Sequence, residues 1–305
     1  MSETRRGVLL GLAAWGMWGF FPLYWRLLEP AGAVEVLAHR IIWSMLVMLG
    51  LVLLLRKRAS LRATLADRRT RWLLALASVL VTVNWGTYIW GVTHEHVVET
   101  SLGYFINPLV SVLMGVLILG ERLRPLQWAA LGVAGVAVLA LTVEYGHPPW
   151  VALVLAFSFG SYGLAKKKAN AGAVESLVIE TVVISPVALG YIVFLVATGA
   201  STFGNHGGGH ALLIMGTAVI TVVPLLCFGG AATRIPLSTL GLMQYLAPTV
   251  QFILGLVVFD EPMPALRWVG FAMIWVALAL FTAETLRNRH HQRRDHPVEA
   301  VSAPS

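Results

Sequence analysis

Five polar side chains stand inside long apolar runs: Asn84, Asn107, Glu180, Gln244 and Gln251. A polar group in such a run is expensive, so it either ties helices together or binds something. Glu180 offers two chemistries, capture of a substrate amine or carriage of a proton; the alternative is an interfacial carboxylate beside Lys166–Lys168. Asn84 is followed by Trp85, Tyr88 and Trp90, and Asn107 directly precedes Pro108. Gln244, Tyr245 and Gln251 surround Pro248, and the i, i+4, i+7 spacing of Gln244, Pro248 and Gln251 puts them on one helix face. Each proline frees a carbonyl about four residues back, which at membrane depth is tolerated only beside protein or a wet cavity. The competing reading of each amide is a plain interhelical hydrogen bond. Trp15, Trp18, Tyr24, Tyr88 and Tyr104 would stack on an aromatic or amphipathic molecule, or else form packing contacts and an interfacial belt.

A second group is charged. Arg26, Glu35, His39 and Arg40 lie close in sequence, with Glu35 and His39 on one face if the helix starts early. They read as an anion-attracting mouth for a carboxylate substrate, or as an outer gate and structural pair with snorkelling arginines. His94, Glu95, His96 and Glu99 have metal-binding side chains but not the H-E-x-x-H spacing, so no metal site is expected. His206 and His210 flank three glycines and read as loop composition. Cys227 is the sole cysteine, which rules out an intrachain disulfide. No G-x-S-x-G element, P-loop or supported carboxylate pair is present, so no cofactor and no enzyme activity are expected. Without a nucleotide-binding segment, any work must draw on an ion or solute gradient.

The elements that position these residues follow from composition. The 305 residues are 57% hydrophobic and 12% charged; a soluble domain carries roughly twice that charged fraction. Apolar runs of about 20 residues, the length that crosses a bilayer, predict ten helices at about 7–24, 36–55, 72–92, 102–119, 126–143, 150–165, 177–197, 211–232, 237–259 and 266–285. A cleaved signal peptide at the start is disfavoured by the bulky Trp15, Trp18, Phe20 and Trp25. The net charge of +7 reads as topology rather than nucleic-acid binding. With ten helices and the N-terminus inside, 19 of the 22 Lys and Arg fall in cytoplasmic segments, and Arg26, Arg40 and Arg267 outside.

A duplication runs through this pattern. Pro108, Gly115, Glu121 and Trp128 recur as Pro248, Gly255, Glu261 and Trp268, 140 residues on. Five helices per half is an odd number, so the Glu121 turn lies inside and the Glu261 turn outside. The expected fold is therefore all-α and integral to the membrane, with ten transmembrane helices as two inverted five-helix repeats. Its divisions are a cytoplasmic lead 1–6, a first repeat 7–145, a second repeat 146–286, and a disordered cytoplasmic tail 287–305. Glu121 and Glu261 read as structural markers, each carboxylate meeting the N-terminus of the helix that follows its turn.

Several strings then carry a resemblance: Ser101–Pro108, Gly120-Glu121-Arg122, FSFGSYG at 157–163, VPLLCF at 223–228, AATR at 231–234 and STLG…QY…P through 238–248. The chain resembles the RarD branch of the EamA-type drug/metabolite transporters over all ten predicted helices. The second turn departs from the pattern, with Asp260-Glu261-Pro262 in place of Gly-Glu-Arg. The resemblance implies an inner-membrane permease exporting small amphipathic metabolites, amino acids among them, by alternating access. It implies a central cavity lined by helices 1–4 and 6–9, with helices 5 and 10 outside; a homodimer is a further possible partner, and the sequence does not say whether helices 5 and 10 form its contact. The partners expected are a small-molecule substrate and the lipid bilayer. Two readings from other classes stay open: an intramembrane enzyme acting on a lipid or lipid-linked group, and a non-transporting membrane partner.

Overall fold

The structure, a computed structural model, describes residues 2–119, 123–232, 234–235 and 243–295. Glu121 and its neighbours Gly120 and Arg122, the STLG segment at 238–241, and residues 296–305 lie outside the described residues. Among the described residues every regular element is a helix. In chain order they are α1 (Glu3–Gly19), α2 (Phe21–Arg26), α3 (Ala33–Leu54), α4 (Arg58–Ala66), α5 (Arg68–Thr93), α6 (Val97–Leu119), α7 (Pro125–Tyr145), α8 (Trp150–Ala169), α9 (Ala173–Ala197), α10 (Gly207–Ala232), α11 (Leu246–Val257) and α12 (Ala265–Asp295). Among the described residues seven helices, α3, α5, α6, α7, α9, α10 and α12, are long and apolar enough to cross a membrane; α8 and α11 are apolar but shorter. Large apolar side chains such as Trp72, Leu139, Val187, Leu212 and Val219 are exposed. Water would not tolerate so much exposed apolar surface on one chain, whereas lipid does.

The helices depart from the expected spans at their ends. The first span is broken at Phe20, whose N–H reaches the carbonyls of Gly16 and Met17, and α2 restarts with Pro22 in its first turn. The basic loop expected at 56–71 holds a helix, α4, whose Leu61 packs into two apolar clusters. Asp67 then caps α5, accepting from the N–H groups of Arg69 and Thr70 at 3.2 and 3.1 Å. Those bonds, that from the Thr70 hydroxyl above all, hold its carboxyl below the usual carboxylate range. Helix α12 continues to Asp295, past the apolar stretch that ends at Glu284 and into the segment expected to be a tail.

The chain divides into two compact units. The first comprises 1–111 and 150–262. Within it α5 lies on α8 and α9, α3 on α9 and α10, and α1 on α10 and α11. One apolar cluster is built from Phe21, Trp25, Leu28, Tyr88, Ile89 and Leu155, with Trp18, Tyr24 and Tyr104 against it. α6 approaches α8 closely at Gly103, where a Cβ would lie 2.8 Å from the Ala152 carbonyl oxygen. The second unit comprises 112–149 and 263–305, with α7 and α12 antiparallel. Arg267 near the start of α12 meets Glu144 near the end of α7 through two contacts of 3.1 Å, and Arg124 meets Glu284 at the opposite end at 3.2 Å. Between these ion pairs Gly270 admits the Leu141 side chain.

Two corrections concern the repeat markers. Pro248 was expected to break a helix midway, but it is the third residue of α11, where no intrahelical N–H bond is lost. Gln244 and Tyr245 form a turn ahead of α11, so Gln244 does not share the helical face of Gln251. Pro108, by contrast, does sit inside α6. Glu261 was expected to meet the helix after its own turn. Instead it accepts the N–H groups of Val97 and Val98 (the second at 2.9 Å), so it caps the start of α6. That explains why α6 begins five residues ahead of the expected boundary.

Two outcomes follow. Gly103→Ala forces a methyl group onto backbone rather than a movable side chain, and overpacking of that kind costs about 1–3 kcal/mol; thermal unfolding in detergent should fall accordingly. Glu261→Ala removes the cap, worth about 0.5–2 kcal/mol, and hydrogen exchange should accelerate at Val97–Ser101 while the centre of α5 stays protected.

Candidate functional site

The expected site residues separate into three places within the first unit. The central one joins α3, α5, α6, α8 and α10. Asn84 is buried on α5 and donates to the Leu155 carbonyl and to Ser158 Oγ, both at 3.0 Å. Tyr104 on α6 donates to Asn84 Oδ1 at 3.3 Å. The Tyr88 ring meets the Tyr104 ring edge-on at 5.7 Å between centroids. The Tyr88 hydroxyl, the Asn107 amide oxygen and Ser44 Oγ are buried without a partner among the described residues. One missing hydrogen bond in an apolar interior costs about 1–3 kcal/mol. Three such atoms, on α3, α5 and α6, are candidates for bonds completed by another group.

Arg40 belongs to this place. The sequence put it at an outer mouth with Arg26 and His39, and the structure separates the three. Arg26 is exposed, with its guanidinium 5.4 Å from the Phe259 ring centroid. His39 stacks on Phe203 at 4.7 Å. Glu35 accepts from Ser201 Oγ and from the N–H groups of Thr202 and Phe203. The Glu35–His39 face thus pins the loop after α9 to α3. Arg40 is only 4% exposed. Its guanidinium lies 4.0 Å from the Trp85 ring centroid and 5.3 Å from that of Trp25, and its Nε donates to Thr221 Oγ1 at 2.9 Å. Cation–π contact of this kind contributes about 2 kcal/mol when desolvated, well short of the several kcal/mol that burying a charge costs.

The second place is the aromatic group of Trp15, Trp18 and Phe228, where Trp15 and Trp18 meet at 4.7 Å and Phe228 stands 5.8 Å from Trp15. Gln251 donates to the Trp18 carbonyl at 3.1 Å, and its own amide oxygen has no partner among the described residues. Gln244 and Tyr245 are half-buried in the turn below.

The third place holds Glu180. It is 2% exposed; Lys166 Nζ is 2.7 Å from one carboxylate oxygen, Ser176 Oγ donates to the same oxygen at 3.0 Å, and the Tyr162 hydroxyl donates to the other at 3.1 Å. Ser158 and Tyr162 are four residues apart on α8. One face of that helix therefore carries the Asn84 bond and, a turn nearer the lysines, the Glu180 bond.

Sequence reasoning overlooked Ser158, Tyr162 and Thr221. Thr221 had a signal: with Thr217 it forms a polar pair one turn apart in an otherwise apolar stretch, and both are buried. Ser158 and Tyr162 lie in the FSFGSYG string, where helical spacing alone does not say which neighbour each meets. Glu99, near the histidines considered as metal ligands, accepts the Val151 N–H at 3.0 Å and so caps α8.

The relatives agree with this architecture. Residues 5–143 match the model of the EamA-like transporter family. The chain is 56% identical to Protein RarD of Streptomyces exfoliatus over 96% of this chain and 93% of that one. It is 43% identical to Uncharacterized transporter YojE of Bacillus subtilis over 92% and 95% of the two chains. A solved crystal structure shares the fold at a TM-score of 0.57 and 19% identity, covering 92% of this chain and 98% of that one. Identity of this extent, over a helical chain built to span the bilayer several times, means that the protein belongs to the RarD branch of the EamA-like transporter family, a family of membrane transporters.

Proposed function

We infer that this chain is a secondary transporter of the inner membrane that exports small amphipathic metabolites such as amino acids by alternating access. In this reading its ten membrane-crossing helices form two inverted halves, 7–145 and 146–286, with both termini cytoplasmic. The 19-to-3 division of Lys and Arg between alternate segments supports that topology. The observation that carries the function is the central polar group. Asn84, Tyr88, Tyr104 and Asn107 are gathered from α5 and α6 around buried hydroxyl and amide atoms left open, deep in a helical body with an apolar exterior. Polar side chains at such depth are the usual means by which a carrier replaces the water a solute gives up.

The rival reading as a lipid-modifying enzyme needed Arg26, Glu35, His39 and Arg40 to converge. Their dispersal into an exposed arginine, a loop anchor and a buried cation removes its best support. Proton coupling, where present, would use Glu180. Protonating it would release Lys166 and Tyr162 and loosen α8 from α9 at the basic end of the bundle.

The test is counterflow of labelled amino acids, aromatic ones first, in proteoliposomes holding the purified protein. Asn84→Ala should reduce flux about tenfold, because it removes the hydrogen bond that places the Tyr104 hydroxyl in the central group, in protein that still elutes as a folded species. Undiminished flux would remove the central group from the pathway. With an imposed pH gradient, Glu180→Gln should still exchange substrate but no longer respond to the gradient; a full response would take proton coupling away from Glu180.

A further inference from the structure

The Arg40 guanidinium is a buried cation with no counter-ion among the described residues. Among the described residues no carboxylate lies within ion-pair distance of it, and its protein contacts are one neutral hydroxyl and two indole faces. The buried acidic groups described in the same unit are engaged elsewhere: Glu35 with the loop after α9, Glu99 with the start of α8, Glu261 with the start of α6, Glu175 with Lys57 and Ser60, and Glu180 with Lys166. The hydrogen bond to Thr221 uses Nε, and no protein acceptor among the described residues takes the terminal Nη groups. Tyr88 packs in one cluster with Trp25, its ring meets that of Tyr104, and its hydroxyl has no partner among the described residues. Ser44, one turn along α3 from Arg40, is likewise buried and unpartnered.

An arginine used only to brace helices would be expected to meet a carboxylate or several backbone carbonyls, as Arg267 meets Glu144. Here the fork-shaped side of the guanidinium is left open, which is the geometry that takes a carboxylate through two parallel bonds. Stacking on Trp85 and Trp25 holds the plane of the group without consuming those donors.

We propose that Arg40 is the anion anchor of the transport site, and that the transported class is a small organic acid with one carboxylate beside an apolar or aromatic body. Arg40 takes the carboxylate, with the Tyr88 hydroxyl as a further donor. The cluster of Trp18, Tyr24 and Tyr104 around Trp25 and Tyr88 takes the apolar part. A single guanidinium flanked by neutral hydroxyls matches one negative charge; a phosphate dianion would call for a second cation. The assignment rests on the transport reading above and narrows its substrate class.

The experiment uses four labelled compounds with a common phenyl body: phenylacetate and L-phenylalanine, which carry a carboxylate, and phenylacetamide and phenethylamine, which do not. Binding is read as thermal stabilisation of the purified protein, and transport as counterflow in proteoliposomes. Wild-type protein should be stabilised by the carboxylates, at concentrations about tenfold below those of the amide and amine, the scale of one charge-assisted hydrogen bond. Arg40→Gln should erase that preference and leave the weak amide response, and Arg40→Lys should keep part of it because charge remains while the fork is lost. Tyr88→Phe leaves packing intact and should weaken the carboxylates alone, which guards against misfolding of the arginine variants. Equal stabilisation by carboxylate and amide in the wild type, or a preference that survives Arg40→Gln, overturns the assignment. Carboxylate-selective stabilisation without counterflow would retain the anion site and overturn the transport reading. Counterflow of all four compounds at equal rates would do the reverse.

Discussion

The hydrogen bonds that buried carboxylates make to backbone N–H groups tie the first unit together. An apolar surround offers no water to the first turn of a helix, so each orphaned N–H must find an acceptor within the protein. Glu261 supplies one to the start of α6, Glu99 to the start of α8, and Glu35 to the turn at Ser201–Phe203. A carboxylate suits this place because its charge also meets the positive end of the helix dipole. All three sit at the end of the bundle away from the lysine clusters. At the basic end the same residue type is used differently: Glu175 meets Lys57 and Ser60, and Glu180 meets Lys166, Ser176 and Tyr162. One end is thus tied through backbone caps and the other through side-chain ion pairs. The second kind of tie is the easier to open, because Lys57 and Lys166 are partly exposed and a solvated ammonium gives up little on leaving.

This arrangement gives several charged residues of the first unit a structural partner. Glu99 and Glu261 are occupied in closing helix ends and Glu35 in holding the loop after α9, and Arg26 rests on Phe259 near the surface. What remains in the interior is a polar group of amides and hydroxyls around one arginine. The aromatic residues near it have a double duty. Trp25 and Trp85 shield Arg40 from the apolar core, while Tyr88 and Tyr104 bring hydroxyls to the same place. The second unit contrasts with this. Its α7–α12 pair closes Arg267 on Glu144 and Arg124 on Glu284 at its two ends, and leaves small residues such as Ala130, Ala134 and Ala137 buried between.

Much of the organisation was legible along the chain. Apolar runs of membrane-crossing length mark the helices, because in lipid the backbone must satisfy itself locally. Asn84 and Glu180 stood out for the same reason: a polar side chain there has a cost that composition alone reveals. The family strings around Asn107 and Pro108 were legible as a resemblance. The errors came where the partner is remote. Pro248 looked like a mid-helix proline, yet α11 starts two residues before it. Glu261 looked like a cap for the adjacent helix, yet its partners lie more than 160 residues away. Arg40 and His39 are neighbours in sequence and on α3, yet they point to different surroundings: one lies between Trp85 and Thr221, the other against Phe203.

Sequence by itself determined the all-helical character, the set of apolar stretches, and which residue types were too costly to be filler, since these depend on local composition and period. Tertiary structure decided which of those costly groups are satisfied. Glu35, Glu99, Glu180 and Glu261 each found donors on another element, and Asn84 found Leu155 and Ser158 on α8. Arg40 found indole rings and a threonine but no anion among the described residues. That distinction is invisible along the chain because hydrogen bonding is a matter of about 3 Å, and helices that meet at that range are set by packing among residues far apart in sequence.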